Sequence, residues 1–157
     1  TPAENESIAL YELVIQTCQQ LGVRLILQVP PHLTRMSVPA GVLLVGDAID
    51  HQMVFARAAA VIHHGGAGTT HACLEAGTPM LIVPRGIDQF FWADRVYAAQ
   101  LAPVRIDPTC VTVASLTCAL NEVVQVPHYR ERMQVLRQAA MMTKGVESAA
   151  QYIRRVR

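Results

Sequence analysis

The chain has 157 residues, 52% of them hydrophobic and 16% charged, with a formal charge of +1 and a pI near 7.7. That length fits one compact domain, the apolar share is ample for a core, and the charge fraction is too low for a disordered chain. Near-neutrality excludes a broad electrostatic grip on nucleic acid or an anionic membrane; the one basic cluster, Arg154, Arg155 and Arg157, reads as the last turn of a helix.

Ile8, Tyr11, Ile15 and Cys18 recur at helical spacing and predict a helix from about Glu6 to Leu21, ended by Gly22. Arg24–Val29, stopped by Pro30 and Pro31, predicts a buried strand, and Val42–Val45 between Gly41 and Gly46 a second. His51–Ala58 fits a short helix with Asp50 as its N-cap, and Ala60–His63 a third strand. Gly65–Gly68 is a tight turn, followed by a helix over Thr69–Ala76 with Gly77 as its C-cap. A fourth strand is expected at Met80–Val83, a helix at Asp88–Gln100 with Asp88 as N-cap, and a fifth strand at Pro103–Ile106. Beyond Asp107 the pattern is helical only: Val113–Val124, Tyr129–Met142, and a last helix through Val146, Ala149, Ala150 and Ile153. Strands apolar on both faces, alternating with helices, predict an α/β fold: a Rossmann-like, doubly wound parallel sheet with C-terminal helices, in one domain spanning the chain.

No apolar run approaches the roughly 20 residues needed to cross a bilayer, so no transmembrane segment is predicted, and the first residues lack the features of a signal peptide. Cys18, Cys73, Cys110 and Cys118 form no C-x-x-C pair and have apolar neighbours. They predict free, buried thiols in a reducing cytoplasm.

In such folds ligands lie beyond the carboxyl ends of the strands. One strand end reads Ile62-His-His-Gly-Gly-Ala-Gly-Thr-Thr70. Glycines let the backbone turn sharply and leave N–H groups bare, and the helix behind them points unpaired amides and a positive dipole end into the crevice. With the hydroxyls of Thr69 and Thr70 and the imidazole of His64, this suits a phosphate or diphosphate. The same residues also fit a plain glycine turn ahead of a capped helix; they match neither G-x-x-x-x-G-K-[ST] nor G-x-G-x-x-G. One strand later, Asp88 and Gln89 offer a carboxylate and an amide to sugar hydroxyls, or Asp88 simply caps a helix. Gly46-Asp-Ala-Ile-Asp-His-Gln52 is a strand-to-helix loop whose backbone can meet a nucleobase edge, with Gln52 near a ribose; an ordinary loop fits it equally.

His63, His64, His71 and Cys73 match no structural zinc spacing, and neither an Asp-x-Asp pair nor a Gly-x-Ser-x-Gly elbow occurs. No metal ligand, cofactor or nucleophile is therefore nominated. The sequence offers no evident partner for His32, His128 and Glu75, which are expected on the surface or on a helix face.

Taken together, four blocks in order resemble the C-terminal, donor-binding half of GT-B glycosyltransferases, in the group of sterol glucosyltransferases and antibiotic glycosyltransferases. They are His51-Gln52, His63–Thr70, Ala76–Pro79 and Asp88–Ala93. The resemblance implies that His64, Gly66, Gly68, Thr69 and Thr70 hold the diphosphate of a nucleotide sugar, and Asp88 and Gln89 the transferred sugar. It places Gln52 by the ribose and the Val45–Ile49 loop, with Gly46 and Ile49, by the base. Ile49 stands where plant members stack a Trp on uracil, and Ala72 where they have a ribose-binding Glu, which leaves UDP and dTDP both open.

The reaction implied is an inverting, metal-independent transfer to a lipid, sterol or natural-product hydroxyl. The family's catalytic base belongs to an N-terminal, acceptor-binding half that has no counterpart here, and the family's first strand is also missing ahead of the first helix. The chain is thus expected to bind donor without transferring it. It is read as the C-terminal domain of a longer enzyme; a separate donor-binding subunit of a split transferase and a non-catalytic nucleotide-sugar module are the alternatives.

Overall fold

A computed structural model describes residues 2–142 and 151–155, with side chains from residue 6 onward except that of 87. The elements in order are α1 (Pro2–Leu21), β1 (Leu25–Gln28), a 3-10 turn (Pro31–Leu33), β2 (Val42–Val45), α2 (His51–Phe55), β3 (Val61–His63), α3 (Ala67–Ala76), β4 (Met80–Ile82), α4 (Ile87–Ala98), α5 (Val113–Gln125) and α6 (Pro127–Met142). Of the last expected helix, 146–150 lie outside the described residues, and 151–155 are helical.

The architecture is α/β with parallel strands, as the hydrophobic pattern predicts. The strands do not join into one sheet. Leu25–Gln28 pairs with Val42–Val45, and Val61–His63 with Met80–Ile82, each in parallel register. The two pairs make separate two-stranded sheets among the described residues.

The fifth strand expected at Pro103–Ile106 is absent. Pro103 has no N–H to donate to a ladder, Val104 is exposed, and Arg105 is drawn to the side, its Nε 2.7 Å from the Asp94 carboxylate on α4. These four residues run as a loop.

The core is centred on β4, whose Met80 and Leu81 are fully buried. Around it pack Cys73 of α3, Ala93 and Val96 of α4, the stripe Leu116, Ala119, Leu120 and Val123 of α5, and Met133 of α6. By contrast Ile26 and Leu43, on β1 and β2, are 51% and 57% exposed, so that pair is covered less completely. Only two of the four thiols follow the expectation of burial. Cys18 and Cys73 lie in the core, and burial pushes the Cys73 thiol up to about 12. Cys110 sits in the turn after Asp107, and Cys118 lies off the apolar stripe of α5; both are exposed.

Helix ends follow local chemistry. Asp50 caps α2 as expected, accepting from the Met53 N–H at 3.1 Å. Thr112 and Ser115 form a reciprocal capping box on α5. Asp88, expected to cap α4, lies inside its first turn instead, because the chain enters through Gly86. At the far end of the strands α6 seals the loops: Arg130 donates to the Ala59 carbonyl at 2.9 Å, Arg132 to Ala99 at 3.1 Å and Gln134 to Gly77 at 3.4 Å.

Gly77 closes α3 at φ +70°, and a Cβ there would lie 2.5 Å from Gln134 Nε2. A left-handed non-glycine residue costs about 1–2 kcal/mol. Gly77→Ala should lower unfolding free energy by on the order of 1–2 kcal/mol in urea titrations, since it meets that backbone cost and displaces the Gln134 amide.

Candidate functional site

The site is built where the chain leaves β3. After His63 the backbone turns through His64, Gly65 and Gly66, and α3 begins at Ala67. The helix thus starts two residues earlier than the sequence predicted, which puts Gly68 inside its first turn.

Each glycine of the turn has its own reason. Gly65 has φ +92°, and a Cβ there would lie 2.7 Å from Ile82 Cγ2 and 3.2 Å from the Gln89 carbonyl oxygen. The turn therefore rests directly on β4 and on the start of α4. At Gly66, the N-cap of α3, a Cβ would meet His64 Nε2 at 2.7 Å, so the exposed imidazole of His64 folds over the helix entrance. Nothing lies within 4 Å of a Cβ at Gly68, and its φ is ordinary. Neither the fold nor the backbone asks for glycine at that position. Its effect is to leave the first turn of α3 bare.

The first helical bond runs from the Thr70 N–H to the Gly66 carbonyl, at 3.0 Å. The amides of Ala67, Gly68 and Thr69 precede it and have no acceptor within the helix. Together with the dipole they place about half a positive charge at this end. Ala67 and Gly68 are exposed and Thr69 half-buried. Thr70 differs from its neighbour: its side chain is buried and its hydroxyl donates to the Gly66 carbonyl at 3.0 Å, bracing the turn from behind.

His63 supports the turn from the strand side. Its Nδ1 accepts the Gly65 N–H at 3.0 Å, and its Nε2 lies 3.4 Å from Met80 Sδ. Burial, then the charges of His64 and His51, push its pKa down from 6.5 to about 4.

Asp88 and Gln89 arrive beside the turn through the Gly65–Gln89 contact. Asp88 is exposed. Gln89 Oε1 accepts the Arg85 N–H at 2.7 Å, which fixes its amide across the loop. The Arg85 guanidinium reaches α1, donating to Ser7 Oγ at 2.7 Å and pairing with Glu6 at 3.2 Å. The loop after β4 is thereby tied to the first helix.

The third group is more dispersed. Gly46 packs on the 3-10 turn, where a Cβ would be 2.6 Å from Thr34 Cγ2 and 3.1 Å from Pro31 Cα. Ile49 is half-buried in the loop that follows. Gln52, exposed on α2, donates from Nε2 to Glu75 Oε2 on α3 at 3.4 Å. Glu75, expected to have no partner, thus has one.

The structure sets the glycine turn against Gln89 through Gly65 and links Gln52 to α3 through Glu75. Residues 13–151 match the family model for the C-terminal domain of erythromycin biosynthesis protein CIII-like proteins. The chain is 39% identical over 112 residues to a sterol 3-beta-glucosyltransferase of Arabidopsis thaliana, covering 71% of this chain and 18% of that protein. It is 46% identical over 72 residues to the vancomycin aglycone glucosyltransferase of Amycolatopsis orientalis, covering 46% of this chain and 17% of that protein. The chain thus matches less than a fifth of the length of either relative. The crystal structure of the kitacinnamycin glycosyltransferase superposes with a TM-score of 0.81 at 29% identity, over 92% of this chain and 38% of that one.

Two outcomes test the geometry. Gly65→Ala should destabilise the fold by at least about 1–2 kcal/mol, from its positive φ and its contact with β4. Gly68→Ala should leave stability unchanged or raise it by up to about 1 kcal/mol, as alanine favours helix; parallel urea titrations separate the two. Unfolded His63 takes up a proton near 6.5 but folded His63 only near 4, so stability should fall as pH drops through that window and be unaffected by this group above it. Unfolding measured at pH 7 and near pH 4.5 should differ through this residue by on the order of 2 kcal/mol.

Proposed function

The chain belongs to the family of erythromycin biosynthesis protein CIII-like C-terminal domains, and we propose that it is the donor-binding half of a glycosyltransferase, holding a UDP- or dTDP-sugar by its diphosphate. The observation that carries this reading is the bare first turn of α3 under the His64 imidazole. Gly68 has no steric or backbone reason to be glycine, whereas an anion seated on the helix amides does require the missing side chain.

In this reading the diphosphate lies on the amides of Ala67, Gly68 and Thr69, with the Thr69 hydroxyl and His64 at its sides. Gly66 and Thr70 shape that surface from beneath. Asp88 and the amide of Gln89 meet hydroxyls of the transferred sugar. Gln52, oriented by Glu75, meets the ribose, and the loop from Gly46 to Ile49 lies by the base.

The acceptor hydroxyl attacks the anomeric carbon from the face opposite the diphosphate, and configuration inverts. The bond from that carbon to the diphosphate oxygen breaks, with its electron pair going to the oxygen. The helix end and His64 stabilise the charge that develops there, a role that needs no metal. The acceptor's proton passes to a base on the acceptor-binding half of the enzyme, to which no residue of this chain is assigned. The relatives act on a sterol and on the vancomycin aglycone, and a lipid, sterol or natural-product hydroxyl is accordingly the proposed acceptor class.

The divided sheet supports a further part of the reading. Every strand keeps one edge without a strand partner among the described residues, β1 and β3 included. In a doubly wound sheet a central parallel strand would pair with both edges and join the two pairs.

Calorimetric titration with UDP and dTDP tests the assignment. His64→Ala should weaken binding roughly 10–100-fold, the scale of one charge-assisted hydrogen bond. Gly68→Ala should weaken it comparably while its melting temperature holds, since the new methyl enters the space given to the phosphate. Unchanged affinity in both variants would remove the diphosphate from this loop.

A further inference from the structure

We propose that His63 is a positioning residue for the diphosphate turn, acting through the Gly65 amide. The proposal rests on the donor-binding reading above, but its core is a claim about the geometry of this turn.

The tautomer follows from the partners. A backbone N–H can only donate, so Nδ1 of His63, which accepts it at 3.0 Å, carries no proton. The single proton of the neutral ring then resides on Nε2, which faces Met80 Sδ at 3.4 Å. Both ring nitrogens are thus engaged: one holds the turn, the other holds β4. The ring is a strut between the end of β3 and the start of its neighbour.

Its effect on the site comes through direction. By drawing the Gly65 amide back toward the strand, His63 holds the residue at φ +92°, where it settles against Ile82 and the Gln89 backbone. That placement sends His64 over Gly66 and sets the heading of α3. His63 therefore acts on the ligand only through the backbone, and neither nitrogen is left to touch it. Depression of its basicity by burial keeps the ring neutral, because a second proton on Nδ1 would face the Gly65 N–H donor to donor.

The sequence separates the two adjacent histidines only by position. The structure divides their labour: His64 is exposed at the helix entrance, and His63 is turned inward.

Three measurements test this. Long-range proton–nitrogen spectra of the wild-type protein should find His63 Nδ1 unprotonated and Nε2 protonated at neutral pH; a protonated Nδ1 overturns the proposal outright. In calorimetry with UDP, His63→Leu, which lacks an acceptor, should lose about tenfold or more in affinity. His63→Asn, which keeps an acceptor at the δ position, should recover most of that loss and restore the Gly65 amide resonance toward its wild-type position. Wild-type affinity in His63→Leu, or an Asn variant no better than the Leu variant, overturns the proposal.

If His63→Leu fails to fold, the Asn variant and the wild-type tautomer decide the matter: in a folded Asn variant, a displaced Gly65 resonance with wild-type affinity, or an unmoved resonance with weakened binding, overturns the proposal. If the wild-type protein binds neither UDP nor dTDP, the donor-binding reading fails, and with it the ligand part of this proposal. The tautomer and the Gly65 resonance then still support or overturn the strut.

Discussion

The backbone leaving β3 must reverse within a few residues and still deliver α3 with its amide end uncovered. A left-handed turn at Gly65 does this, and it is held on three sides: by the His63 ring, by Ile82 and by the backbone of Gln89. A side chain at Gly65 has nowhere to go. Because the same contact that forces glycine there also seats the loop after β4, the two halves of the candidate site are joined by one van der Waals surface. Neither can be displaced without moving the other.

Rigidity reaches this turn from the most buried part of the molecule. Met80 and Leu81 are fully enclosed, and Thr78, just ahead of them, donates to the Phe55 carbonyl at 2.7 Å. α3 then serves as a hub. It meets α2 through Gln52 and Glu75, α4 through the edge-on contact of His71 with Trp92, and α6 through Gln134 at its C-cap. Carbonyls at the opposite end of the strands are satisfied by α6. At the other end the amides of Ala67, Gly68 and Thr69 have no acceptor within the helix, and this asymmetry suits a binding face.

Much of this was legible in the residues. Four of the five expected strands formed within a residue or two of their predicted limits, because short apolar runs between Gly and Pro punctuation leave few other choices. The run His63–Thr70 announced its turn and helix. What was hidden depended on partners distant in the chain. Pro103–Ile106 has a strand's composition, but Pro103 has no N–H for a ladder and Arg105 is turned aside to Asp94 on α4. Thr70 reads like Thr69 until the buried face of α3 is known, and Glu75 reads as bare surface until α2 is folded against it. The opposite roles of His63 and His64 were invisible for the same reason: adjacency in a strand-to-turn junction says nothing about which ring turns inward.

The divided ladder bears on how the molecule opens. β4 lies within the core with half-buried β3 beside it, whereas β1 and β2 carry exposed Ile26 and Leu43 and α1 packs on β1. A two-stranded ladder has little cooperativity of its own. Among the described residues, amides of Leu25–Gln28 and Val42–Val45 should therefore exchange with solvent more readily than those of fully buried β4. Opening of the β1–β2 pair alone would leave the glycine turn after β3 in place, because Gly65 rests on Ile82 of β4 and on Gln89.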